Sequence, residues 1–130
     1  MTHNPVVWFE IYVTDMARAQ RFYESVLGVT LQAMPVPASE PGAPAMQMLF
    51  FPGDPESAGC AGALVRMEGA PVGGGSTIVY FSCADCALEA GRVASAGGKI
   101  FKTKTAIGPY GHIALIVDTE GNMVGLHSMA

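Results

Sequence analysis

Glu10 is the residue around which any chemistry of this sequence has to be argued. It stands in Val6-Val7-Trp8-Phe9-Glu10-Ile11-Tyr12-Val13, a β-branched and aromatic run that predicts a strand. Alternation by two places Val7, Phe9, Ile11 and Val13 on one purely aliphatic and aromatic face. Trp8, Glu10 and Tyr12 share the other, which is apolar but carries polar handles. The first face suits packing against a helix; the second suits the lining of a cavity. A carboxylate on such a face loses hydration and needs a partner to stay charged. It is then a general base, or an anchor for a cationic or hydrogen-bonding ligand. The structural alternative is a carboxylate at the mouth of the sheet, solvated or paired with Arg or Lys.

Other residue types compete for attention. Cys83-Ala84-Asp85-Cys86 is a C-x-x-C at a strand-to-helix junction, a setting for thiol redox chemistry. Cys60 is too isolated to complete a zinc site. Gly73-Gly74-Gly75 lacks the Lys-Ser/Thr of a phosphate loop. Lys99, Lys102 and Lys104 alternate with Thr and apolar residues, the pattern of a solvated edge strand protected from aggregation. His112 follows Tyr110-Gly111 just before a strand, where it gates a cavity or simply sits in a loop.

The elements that position these residues repeat. Asp15 is a good N-cap for a helix over about 16–27, with Met16, Ala19, Phe22, Tyr23, Val26 and Leu27 at spacings of three and four. Gly28 fits the left-handed position that ends it. Residues 33–45 hold four prolines and predict a long loop that covers the cavity. Strands follow at Met46–Phe51 and Ala61–Met67, then a glycine-rich linker over Gly69–Gly75. Thr77–Cys83 begins the pattern again. Asp85 caps a helix carrying Ala87, Leu88, Val93 and Ala94, and Gly97-Gly98 ends it. Asp15 to Gly28 and Asp85 to Gly98 are both thirteen steps, offset by 70. By that offset Cys83 matches Val13 and Cys86 matches Met16, so the cysteines also read as small packing residues. Strands at Ile100–Thr103, Ile113–Val117 and Met123–His127 close the chain, the last two joined by a tight turn at Asp118–Asn122.

Composition narrows the function. The chain has 130 residues, the size of one domain with its own core. Half are apolar and 14% are charged, which excludes disorder for most of the chain. A net charge of −4 argues against nucleic-acid binding. No apolar run is long enough to span a membrane, and the start does not resemble a secretory signal. Three cysteines make no disulfide framework. The expectation is a soluble, cytoplasmic protein.

The repeat resembles the vicinal oxygen chelate superfamily, which includes glyoxalases, bleomycin-resistance proteins and extradiol dioxygenases. Val13-Thr14-Asp15 leading into Phe22-Tyr23 and Leu27-Gly28 carries the resemblance, with Ala96-Gly97-Gly98 and Asp118-Thr119-Glu120-Gly121-Asn122. It implies an α/β (α+β) domain of two tandem βαβββ modules, about 6–68 and 76–128, whose curved sheet surrounds a cavity. It also implies a homodimer. Enzymes of the superfamily hold a divalent metal through His or Glu at four positions. The resemblance carries these onto Trp8, Ala63, Ile78 and Gly125, none of which offers a donor. No metal or other cofactor is therefore expected. In the same frame Tyr80, Ser82 and His127 join Trp8, Glu10, Tyr12 and Ile78 on the inward face, with Met46, Met48, Phe50 and Met67 adding soft surface near cavity or core. Glu10 and His127 are the candidate acid–base pair; Trp8, Tyr12, Ile78, Tyr80 and Ser82 are candidate ligand contacts. The expected function is metal-free binding of a small, partly aromatic molecule. The alternative is a lyase, isomerase or dioxygenase-type enzyme acting on a small carbonyl compound.

Overall fold

The computed structural model describes residues 4–35 and 45–130, so the expected cover at 34–44 lies almost wholly outside the described residues. The chain forms two compact units, Trp8–Thr77 and Ile78–Ala130, the second also taking the described residues up to Val7. In chain order the first module holds β1 (Val6–Tyr12), α1 (Met16–Leu27), β2 (Gln32–Ala33), β3 (Met46–Phe50) and β4 (Ala63–Met67). The second holds β5 (Ile78–Ser82), α2 (Cys86–Ala90), β6 (Lys99–Ala106), β7 (His112–Val117) and β8 (Met123–Ser128). Both are βαβββ, a mixed α+β architecture. Strand order is β2-β3-β4-β1 in one and β5-β8-β7-β6 in the other. In each, the first strand runs parallel to the last and the remaining neighbours are antiparallel.

The repeat extends to residue register. Glu10 stands opposite Ala63 and Tyr12 opposite Val65. Tyr80 stands opposite Gly125 and Ser82 opposite His127. The offset of 70 carries Glu10 to Tyr80 and Tyr12 to Ser82, and the register then carries Ala63 to Gly125 and Val65 to His127.

Each helix covers one sheet face. Met16, Leu31, Leu49 and Leu64 form the first core, with Ile11, Val13, Ala19 and Tyr23 packed against it. This is the aliphatic face anticipated for β1. Cys86, Ala90, Ala114 and Leu126 form the second core, with Phe81 and Cys83 against it. Asp15 caps α1 through Arg18 N–H at 3.0 Å, and Gly28 ends it at φ 66°. The Asp118 carboxylate accepts from the Glu120 and Asn122 amides at 2.8 Å, which closes the β7–β8 turn and sets that register.

Several expectations need correction. Phe22 and Leu27 are over half exposed, because the stripe of α1 that meets the core is Met16, Ala19 and Tyr23. The helix after Asp85 stops at Ala90, and Leu88 is exposed. Beyond it Arg92, Val93, Ala96 and Gly97 bond three residues back, in tighter turns than an α-helix. Gly91, Gly97 and Gly98 each disfavour helix by roughly 1 kcal/mol relative to Ala. The strand β2 has only two residues and escaped the pattern. β6 is an edge strand, as the lysine spacing suggested, but Lys104 is half-buried and its Nζ lies 2.8 Å from Asp85 Oδ1.

Leu64 is fully buried at the centre of the first core. Leu64→Ala should cost about 2–5 kcal/mol in urea denaturation; a loss within measurement error would show that this cluster does not hold the module together.

Candidate functional site

The sheet face turned away from the helix carries the candidate residues in both units. In the first, Glu10, Ala63 and Phe50 form one cross-strand row, and Tyr12, Val65 and Met48 form the next. Trp8 lies on the same face, its ring edge-on to Phe50 with centroids 5.1 Å apart. Phe50 and Met48 thus belong to this face, and Met46 pairs with Met67 at its end. The Tyr12 hydroxyl donates to Glu10 Oε1 at 3.0 Å. Burial first, and then the Glu10 carboxylate, hold the Tyr12 phenol well above its ordinary pKa. Tyr12 is therefore a lasting neutral donor, and Glu10 is an acceptor held in place by its own strand neighbour.

In the second unit Tyr80, Gly125 and Leu115 form one row, and Ser82, His127 and Ile113 the next. Ile78 precedes Tyr80 by two on the same strand face. His127 Nε2 lies 2.6 Å from the Tyr110 carbonyl oxygen. Glu10, Tyr12 and Trp8 are thus brought together in one unit, and Ile78, Tyr80, Ser82 and His127 in the other. His112 opens β7 instead of sitting in a loop, and its buried Nδ1 has no hydrogen-bond partner.

The divalent metal implied by the resemblance can be tested against these surroundings. A Cβ at Gly125 would lie 2.2 Å from Tyr80 Cδ1, so the ring of Tyr80 already fills the space a ligating side chain would need. Ala63 is fully buried and carries only a methyl group. Trp8 spends its ring on Phe50. These residues do not fit a metal at the superfamily's positions. Among the described residues, no group of three or more His, Cys, Asp or Glu side chains is arranged to hold one elsewhere.

The cysteines favour packing over redox chemistry. Burial, with a contribution from Glu89, pushes the Cys83 thiol up to about 12. Its Sγ lies 3.8 Å from the Phe81 carbonyl oxygen, and Cys86 is fully buried in the second core. A thiol held protonated is a poor nucleophile. The Tyr110 carbonyl was not legible as a site element, since a backbone oxygen announces itself by no side chain; Gly125 was reached through the resemblance, but not the ring that fills its space.

With this geometry established, likeness to known proteins can be weighed. Residues 6–38 match the family model for the bleomycin resistance protein-like N-terminal region. Curated proteins from Mycobacterium bovis and Mycobacterium tuberculosis, each described as "Putative glyoxylase CFP32", are 28% identical over 116 residues. That alignment covers 89% of this chain but 41% of those proteins, so the chain spans about two-fifths of their length. Methylmalonyl-CoA epimerase from Streptomyces coelicolor, in complex with 2-nitronate-propionyl-CoA, aligns over 99% of both chains with a TM-score of 0.63 and 16% identity. The Mycobacterium tuberculosis epimerase aligns over 100% of this chain and 92% of its own, with a TM-score of 0.64 and 17% identity. At such identities the structural likeness establishes the fold alone. The chain has the vicinal oxygen chelate fold. No helix among the described residues is long and apolar enough to cross a membrane.

The contact between Tyr80 and Gly125 makes a checkable claim. Gly125→Ala should destabilise the protein by about 1–3 kcal/mol through overpacking. In a Tyr80→Ala background the same change should be close to neutral, a coupling that a double-mutant cycle in urea would measure. Equal costs in both backgrounds would mean that the ring does not occupy that space.

Proposed function

We propose that this chain binds a small, partly aromatic molecule without a metal at the superfamily's usual positions. The observation that carries this is the buried Tyr80 ring seated over Gly125, which fills the space where a metal ligand would stand. In the unit of Trp8–Thr77 the helix-free face also suits such a ligand. Trp8 and Phe50 offer edge-packed aromatic surface, and Glu10 presents a carboxylate oriented by the Tyr12 hydroxyl. Sites of this kind combine apolar lining with a few placed polar groups.

A second reading makes the chain an enzyme acting on a small carbonyl compound, with Glu10 as base and His127 as acid or ligand. What favours it is the names of its relatives, a glyoxylase and an epimerase, and a carboxylate already oriented by Tyr12. It requires other means of stabilising a developing negative charge than a metal at the usual place. Glu10→Gln should then abolish turnover of a small carbonyl substrate while the protein stays folded; retained turnover would remove Glu10 from the chemistry.

Trp8 is the only tryptophan, so its fluorescence reports directly on this face. Small aromatics should quench it saturably, and Glu10→Gln should weaken cationic, amine-bearing aromatics by about tenfold without changing the thermal melt. The binding reading fails if no such compound gives a saturable change and the purified, untagged protein carries a stoichiometric divalent metal.

A further inference from the structure

His127 stands out when the two units are compared position by position. Its counterpart by register is Val65, which is fully buried and apolar. The fold therefore does not require a histidine there. The imidazole sits on the helix-free face of the second unit, between Ser82 of β5 and Ile113 of β7. Its Nε2 lies 2.6 Å from the Tyr110 carbonyl oxygen. A carbonyl oxygen can only accept, so Nε2 must carry the proton. In the neutral ring Nδ1 is then the nitrogen with the lone pair. No described residue bonds to Nδ1.

The carbonyl that imposes this choice is itself held. Tyr110 ends a short 3-10 turn, Gly108–Tyr110, between β6 and β7. Ile107 N–H donates to the Gly111 carbonyl at 2.9 Å across the neck of this hairpin. Gly111 has φ +96°, and a Cβ there would lie 2.4 Å from the Ser128 carbonyl oxygen and 3.0 Å from Met129 Cα. Only glycine lets the hairpin rest so closely on the end of the strand that carries His127. The close approach and the short hydrogen bond belong to one device.

We propose that the Gly108–Gly111 hairpin is a positioning element that fixes His127 as the Nε2–H tautomer, so that Nδ1 accepts a hydrogen bond from a phenolic or enolic hydroxyl of the ligand. This rests on the small-molecule binding reading and deepens it by naming the ligand group. The choice of group follows from the neighbours. Tyr80 and Ser82 bring hydroxyls, whereas imidazole is the most basic neutral group on this face and pairs best with the most acidic donor. Ile113 and Leu115, both half-buried, supply apolar surface for the unsaturated body behind that hydroxyl.

Two measurements test this. Long-range proton–nitrogen correlation spectra of uniformly 15N-labelled protein read the tautomer of His127 directly. At a pH where the ring is neutral, the wild-type protein should show Nε2 protonated and Nδ1 bare. Gly111→Ala, which pushes the hairpin off β8, should give a mixture; if it does not fold, Pro109→Gly loosens the same hairpin. An Nδ1–H ring in the wild type, or an unchanged tautomer in the folded variant, overturns the positioning role. The ligand group is tested with 4-nitrophenol against nitrobenzene, followed by calorimetry and by the His127 ring nitrogen shifts. The phenol should bind about tenfold more tightly, and His127→Phe should erase that difference. Equal binding of both probes, or a preference that survives His127→Phe, sinks this inference and leaves the binding reading standing. If neither probe binds, this inference falls, and the binding reading is decided by the wider set of aromatics and the metal content.

Discussion

The parallel pairing of first strand with last fixes everything else in each unit. It joins β1 to β4 and β5 to β8, segments far apart in sequence, in equivalent registers. A parallel pair cannot be closed by a tight turn and needs a long crossover between its members. Here that crossover is a helix and two further strands, which gives the βαβββ order. It also forces one residue of the last strand to sit directly beside Glu10 or Tyr80. In both units that residue is small, Ala63 in one and Gly125 in the other. A small residue there leaves room for its large neighbour, and Tyr80 uses the room completely. At Gly125 the same lack of a side chain leaves no donor and seats an aromatic ring, so the two facts have one cause.

The units share this frame and differ in the groups it carries. The first presents a carboxylate bonded to a phenol, Glu10 with Tyr12. The second presents a phenol, an alcohol and an imidazole, Tyr80, Ser82 and His127. Duplication supplies two copies of a scaffold, and divergence at the rows opposite the helix then changes chemistry without touching either core. The helix-facing rows stay apolar or thiol, as Ile11 and Val13 correspond to Phe81 and Cys83. That is why a C-x-x-C spacing here denotes packing. Its first member replaces a core valine, and its burial keeps the thiol protonated.

Much of this was legible in the residues because it obeys simple periods. Alternation along β1 assigned both faces correctly, and Ile11 and Val13 do pack with α1. The Asp15 cap and the Gly28 terminus bound α1 as their chemistry dictates. Legibility failed where no period exists. Two residues of β2 cannot alternate visibly. The second helix was overextended because equal cap-to-glycine spacing was taken as equal helix length, while Gly91 within that span let the backbone tighten into turns. Among site residues, Glu10, Tyr12 and Trp8 were grouped correctly on one strand. The bond from Tyr12 to Glu10 followed from that grouping but needed coordinates to be seen.

The part of the site least accessible to sequence is the part made of backbone. A carbonyl carries no residue identity, so the acceptor beneath His127 leaves no signature beyond the glycines that let it approach. Yet its physical effect is larger than that of many side chains. At 2.6 Å it decides which imidazole nitrogen is acid and which is base. A histidine without such a partner interconverts between tautomers and offers either nitrogen to a ligand. One held this way offers a single lone pair in a single direction, at no entropic cost when the ligand arrives. Gly125 and Gly111 act on their surroundings in the same way, each by giving up a side chain so that a ring or a carbonyl can occupy the space.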